Sequence, residues 1–149
     1  MLTDMSSSTA LTDLAVELYH RGRHEDAARY ARKALENKGS LGVKEIIQWS
    51  LLLAMCERAA GRDEAALKTH LEVSPLVELL NENARDEVFL RGKYHNGLAI
   101  TYKKLGHADK AFQEYAAASV YYEKAGEWRH RADVENNIAN LLIQLGHFD

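Results

Sequence analysis

The chain has 149 residues with one proline and one cysteine, and 19 lysines and arginines nearly balance 22 aspartates and glutamates for a formal charge of −3. The charges are spread evenly over both halves and leave no basic footprint for nucleic acid. The most apolar run, Ile46 to Cys56, is about half of a bilayer crossing and is broken by Gln48 and Ser50, so no membrane association is expected.

Abundant alanine, scarce proline and the lack of alternating β-branched runs predict an all-α chain. Met1 to Ser8 is expected to be a disordered tail, without the cationic start and apolar stretch of a secretory leader. The first helix is predicted from about Thr9 or Ala10 to Arg21. A second starts at Glu25-Asp26, acidic residues suited to the positive end of the helix dipole, and ends at Asn37-Lys-Gly39. A third, about Val43 to Ala60, is apolar nearly all round and so predicted to be interior. The fourth begins at Asp63-Glu64 and meets Ser74-Pro75, where the missing backbone donor predicts a kink or restart and an extra segment from Pro75 to Asn81. Helix five is expected over about Asp86 to Leu105, helix six over Ala108 to Lys124 with Gly126 as its stop, and helix seven over Glu127 to Leu145.

Periodicity shows how these helices pair. Leu90, Tyr94, Leu98, Tyr102 and Leu105 recur at helical spacing before the turn at Gly106-His107, and Ala108, Ala111, Tyr115, Ala118 and Tyr122 do so after it. A helix-turn-helix unit of this size cannot bury both its apolar faces alone, so copies are expected. The turn glycine recurs as Gly22, Gly61, Gly106 and Gly146, at intervals of 39, 45 and 40 residues. Seven residues before each stands an alanine (Ala15, Ala54, Ala99, Ala139), and five after the first three another (Ala27, Ala66, Ala111). Small residues at matching heights let two helix backbones approach closely.

With Ala34 and Ala118 near the ends of second helices, this pattern resembles the tetratricopeptide repeat family. The repeats run longer than the family's usual 34 residues, with helices about a turn longer, and lack its closing proline. The second copy diverges most, with Glu57 and Val73 at the places of Tyr102 and Ala118. The resemblance implies a right-handed α-α superhelix, a solenoid of antiparallel helix pairs with repeats over about 9–39, 43–82 and 86–126 and the first helix of a fourth over 127–149. Tyr94-His-Asn-Gly-Leu-Ala, Glu114-Tyr-Ala-Ala-Ala-Ser119, Glu123-Lys-Ala-Gly126 and Arg131-Ala-Asp-Val-Glu-Asn-Asn-Ile138 are similar to a subgroup of bacterial repeat proteins. That similarity, with a single cysteine suited to a reducing compartment, implies a bacterial cytoplasmic origin. The break after Gly146 predicts a piece of a longer protein, whose seventh helix would expose Val134, Ile138, Leu141, Leu142 or Leu145 and could drive homo-oligomerisation.

Chemistry-bearing constellations are sparse. His20 and His24 straddle a turn, His107 and His147 are equivalent loop positions, and no zinc-ligand spacing occurs, so the histidines are expected to be solvated or capping. Cys56 has no histidine within a helical turn and is expected to be a small buried hydrophobe. The glycines are isolated turn residues except Gly97, mid-helix, where close packing is expected. Tyr115, Tyr121, Tyr122 and Trp128 are expected to pack between repeats, and Glu127-Trp-Arg-His-Arg131 to be a loop and solvated helix start. No nucleophile–base pair, metal or cofactor site emerges, and the protein is expected not to be an enzyme.

The resemblance places the first helix of each repeat on a concave inner face. Helix five then contributes Lys93, Asn96, Gly97, Ile100, Lys103 and Lys104, and helix seven Asp133, Asn136, Asn137, Asn140 and Gln144. Asparagine amides hold a peptide backbone whatever its side chains, and lysines attract carboxylates. Asn137 and Asn140 fall where peptide-binding members of the family often carry asparagine. Thr12, Asp13, Val16, Tyr19, Gln48, Leu51, Leu52 and Met55 would add a more apolar lining, but Val16 and Leu52 break the family's clamp for a chain-terminal carboxylate. The function expected is a scaffold holding a protein or peptide segment in the groove. The alternatives are a peptide sensor controlling an output domain outside the chain and a homo-oligomerisation module.

Overall fold

A computed structural model of the chain describes residues 4–146, with side chains from Leu11 onward. Among the described residues the fold is all-helical: α1 (Asp4–His20), α2 (His24–Glu36), a 3-10 turn (Lys38–Ser40), α3 (Val43–Ala59), α4 (Asp63–Val77), α5 (Arg85–Lys104), α6 (Ala108–Lys124) and α7 (Trp128–Gln144). Backbone proximity divides the chain into two compact units, Met1–Val73 and Ser74–Asp149.

The turns obey one rule. Gly22, Gly61, Gly106, Gly126 and Gly146 all have φ between 73° and 83°, the left-handed region that any Cβ disfavours. At Gly106 its own N–H donates to the Lys103 carbonyl at 3.0 Å and the next N–H, of His107, reaches back to Tyr102 at 2.9 Å. Those are the paired bonds of a Schellman closure, which satisfies carbonyls that a helix end would otherwise leave without donors. The same pair recurs at Gly22, Gly61 and Gly126. Ring contacts span two of these turns, with the Tyr102 and His107 rings 6.1 Å apart and Tyr19 and His24 at 4.7 Å. Gly126, which the glycine spacing did not count, makes the α6–α7 connection the same kind of turn.

The two irregular connections add side-chain bonds to their backbone turns. After the 3-10 turn, the Gly42 N–H donates to Glu45 Oε1 at 3.1 Å across the start of α3. Between α4 and α5, Asn81 Oδ1 accepts from the Asn83 N–H at 2.9 Å, and Glu87 Oε1 accepts from the Asn81 N–H at 3.0 Å.

Three expectations are corrected here. α1 begins at Asp4, five residues ahead of the Thr9 start, so only residues 1–3 of the expected tail fall outside the described residues. α4 passes through Pro75 without restarting and stops at Val77, because a proline in the last turn forfeits a single hydrogen bond. The Pro75–Asn81 segment is therefore the helix end followed by tight turns, with Leu79 N–H bonded to Leu76 and Leu80 N–H to Val77. Gly92 was overlooked beside Gly97. A Cβ there would stand 2.7 Å from Tyr122 Cδ1, so glycine is what admits the tyrosine ring onto α5.

Packing follows the small residues. Ala15, Ala54 and Ala99 are fully buried, and so are Ala27, Ala66 and Ala111. In the first unit Ala15, Ala27, Ala28 and Ala31 join Trp49, Leu52 and Cys56 in a core; in the second, Ala99, Ala111 and Ala118 join Tyr115, Tyr122, Val134 and Leu141. Cys56 is buried, and the loss of solvation pushes its thiol up to about 11, as befits an unreactive core residue.

One buried polar pair ties α3 to α4. Arg58 Nη1 lies 3.1 Å from His70 Nε2, and since a guanidinium can only donate, the imidazole is neutral with Nε2 as acceptor. Burial, reinforced by the Arg58 charge, lowers the His70 pKa to about 3. Nearby, the Thr69 hydroxyl donates to Glu57 Oε1 at 2.7 Å.

Two measurements check this account. Ala111→Trp, which overfills a closed contact, and Leu98→Asp, which buries a charge, should each cost about 3 kcal/mol or more and abolish the cooperative thermal transition in circular dichroism. The unfolded chain takes up a proton at His70 near pH 6.5 whereas the folded one does so only near 3, so stability should fall as pH drops below about 6.5. Between pH 7.5 and 5 the His70 contribution is up to about 2 kcal/mol, and His70→Gln, an acceptor that does not titrate, should flatten that slope in denaturant melts.

Candidate partner-binding face

On α5 the candidate residues climb one side of the helix at helical spacing. Lys93 and Lys104 are exposed, and Asn96, Gly97, Ile100 and Lys103 are half-buried. Lys93 bends its ammonium over the Phe89 ring, 4.4 Å from the centroid. Although the residue as a whole is exposed, loss of solvation at its head group lowers its pKa, partly opposed by the Glu127 carboxylate. Asn96 Oδ1 is buried and has no hydrogen-bond partner among the described residues. Ile100 leans instead on the core formed with α6 and α7.

On α7, Asp133, Asn136, Asn140 and Gln144 are exposed and Asn137 is half-buried. Asp133 and Glu127 both act electrostatically on Tyr122, whose burial already raises its pKa. The candidate residues of α5 and α7 thus share the second unit. Sequence reasoning missed what joins them: Phe89 meets His130 edge-on at 4.9 Å, and Tyr122 lies 5.8 Å from Phe89 and 5.3 Å from His130. This aromatic seam lies beside Lys93, whose ammonium sits over Phe89 and feels the Glu127 carboxylate. A signal for it existed in the i, i+4 pair Phe89 and Lys93, but reading Glu127 to Arg131 as solvated hid His130, which is half-buried.

Of the tyrosines and tryptophan expected to pack between repeats, Tyr115 and Tyr122 are buried. Tyr121 is half-buried, stacked on His95 at 5.3 Å and capped by the Arg91 guanidinium at 4.9 Å. Trp128 differs, being 61% exposed with Arg131 over its ring.

In the first unit Thr12, Val16, Tyr19, Leu51 and Met55 are half-buried, and Asp13 and Gln48 exposed. Leu52 is a core residue beside Trp49 and Cys56 and lines no open surface, because α3 is covered on that side. His147 lies outside the described residues. Among the described residues no three His, Cys, Asp or Glu side chains converge as metal ligands, and no helix is long and apolar enough to cross a membrane.

Consecutive helices in each unit pack as neighbours, α1 on α2 and α2 on α3, then α5 on α6 and α6 on α7. The Yersinia enterocolitica type III secretion translocator chaperone SycD has a solved structure that matches with a TM-score of 0.72 at 14% identity, over 97% of this chain and 90% of that one. The C-terminal TPR-containing domain of a Plasmodium falciparum protein described as FK506-binding matches at 0.64 and 14% identity, over 98% and 95%. This is a tetratricopeptide-repeat fold. BtubC from P. vanneervenii also matches, at 0.58 and 15% identity over 95% of this chain and 65% of that one. No family model and no curated protein matches in sequence. Tetratricopeptide repeats diverge this far because the fold asks only for small and apolar residues at a few heights, and leaves the open positions of the first helices unconstrained.

Proposed function

We propose that the protein is a tetratricopeptide-repeat interaction module whose second unit holds an extended segment of a partner protein along the polar faces of α5 and α7. The observation that carries this reading is the buried, unpartnered Asn96 Oδ1 on the same helix face as the Lys93 ammonium. A buried amide oxygen without a donor is costly, and the backbone N–H of a bound segment would relieve that cost. Lys93, Lys103 and Lys104 suit a carboxylate on the same segment, while the amides of Asn136, Asn137 and Asn140 can pair with its peptide groups. Phe89 supplies an aromatic surface under the Lys93 ammonium, with His130 edge-on to it. The reading is one of binding.

Peptides selected against the full chain from a random library displayed on phage provide the test. Selected sequences should be enriched in Asp or Glu. Asn96→Ala and the double change Asn137→Ala with Asn140→Ala should each weaken a selected peptide by roughly fivefold to tenfold, about one hydrogen bond's worth, with an unchanged melting temperature. Peptides that bind all variants equally would refute the assignment.

A further inference from the structure

Glu127 is a carboxylate placed to act on the same lysine that would receive a partner's carboxylate. Burial lowers the Lys93 pKa and Glu127 opposes that shift, so each charge feels the other. The Glu127 backbone is pinned. Its N–H closes the turn onto the Tyr122 carbonyl at 2.8 Å and its carbonyl accepts from the Arg131 N–H at 3.0 Å, which leaves the side chain as the part that can turn. The carboxylate has a second neighbour in His130, whose Nδ1 is buried without a hydrogen-bond partner among the described residues and lies 3.6 Å from Glu127 Oε2. That is just beyond a hydrogen bond. The Phe89 ring holds both rivals for Glu127 in place, with the Lys93 ammonium 4.4 Å from its centroid and the His130 ring edge-on at 4.9 Å.

We propose that Glu127 is an internal competitor for Lys93, and that proton uptake by His130 draws this carboxylate away and opens Lys93 to an acidic partner segment. The inference rests on the reading of Lys93 as a carboxylate-binding group. Histidine is the side chain whose charge ordinarily changes between about pH 5 and 8. An imidazolium carries N–H groups on both nitrogens, so Nδ1 becomes a charged donor facing the carboxylate 3.6 Å away. The other groups around the ring make Glu127 the one that matters. From α6 the Tyr122 ring lies at 5.3 Å, kept neutral by the burial that raises its pKa. From α5, besides Lys93, Arg85 reaches the turn before α7 with its Nε bonded to the Ala125 carbonyl at 2.6 Å. On α7 itself Arg129 is exposed, Arg131 is shared between Glu123 at 3.2 Å and Glu135 at 3.1 Å, and Asp133 acts on Tyr122. The positive end of the α7 dipole, like the nearby cations, disfavours a charged ring, and Glu127 offsets them. Acidic segments should therefore bind more tightly as pH falls from 7.5 to 6, above the range in which their own carboxylates take up protons.

The test uses the full chain and two readouts. The first needs no partner: trace acetic anhydride labels the amines at each pH, and mass spectrometry reads the extent at Lys93. Only the free amine reacts, so an ordinary lysine loses about tenfold per pH unit. Between pH 7.5 and 6 Lys93 should end about threefold above that line, because a carboxylate neighbour is withdrawn and a cation appears. Glu127→Gln should raise Lys93 labelling about threefold already at pH 7.5, and His130→Phe, which keeps a ring against Phe89, should restore the ordinary fall. In the second readout, an acidic peptide selected on phage should bind about threefold more tightly at pH 6 than at 7.5. His130→Phe should abolish that gain, and Glu127→Gln should bind tightly at both pH values. Lys93 labelling indifferent to Glu127 or to His130 would overturn the proposal whether or not a peptide binds. So would a pH gain that survives in either variant. Labelling as expected with no acidic peptide bound would refute the partner reading alone.

Discussion

Contact between helix backbones, with nothing larger than a methyl between them, is the constraint on which the fold rests. Ala15 and Ala27, Ala54 and Ala66, and Ala99 and Ala111 are all closed to solvent. Dispersion forces decay steeply, and the methyl pairs bring long stretches of two helices within range of one another. The larger side chains are consequences of that spacing. Tyr115 and Tyr122 fill what the alanines leave on either side, and Tyr122 lies flat on α5 only because Gly92 has no side chain. A fold held this way needs no disulfide, metal or extensive ion pairing, and most of its salt bridges are exposed ones of low worth, such as Arg21 with Glu17.

That economy shapes the surfaces available for binding. Residues that fix helix spacing point into the pairs, so the remaining positions on α5 and α7 are free to carry polar chemistry. Lysine and asparagine stand there, Lys93 over the Phe89 ring, and the Asn96 amide oxygen has no donor among the described residues. The Arg58–His70 pair is different in kind: a cation kept inside by a neutral ring, which links the first unit's integrity to proton concentration rather than to any ligand.

The repeat was legible in the sequence because its rules are local. Glycine in a left-handed turn and alanine at a fixed distance on either side leave a mark that no other residue substitutes for, and in the first three copies the alanines are buried as the spacing implies, while Ala139 of the fourth is exposed. What escaped depended on partners distant in sequence. Gly92 has meaning only beside Tyr122, thirty residues on, and His130 only beside Phe89. Pro75 misled because its effect depends on how many turns of helix remain after it, a boundary that periodicity fixes poorly. Leu52 was given to an inner face by counting from the turn glycine, whereas α3, apolar nearly all round, gives no sequence cue to which side is covered.

The closures at Gly22, Gly61, Gly106 and Gly126 fix both the length and the direction of the chain between helices. One residue added inside such a turn would rotate the next helix by about 100° and carry its alanine off the contact. The 3-10 turn before α3 and the Asn81–Ala84 link before α5 are closed differently, by side-chain as well as backbone hydrogen bonds. Variation in length is thereby channelled into these two places, and the long interval between Gly61 and Gly106 contains one of them. Each glycine-closed pair can therefore keep its internal geometry while the number of residues between successive turns differs.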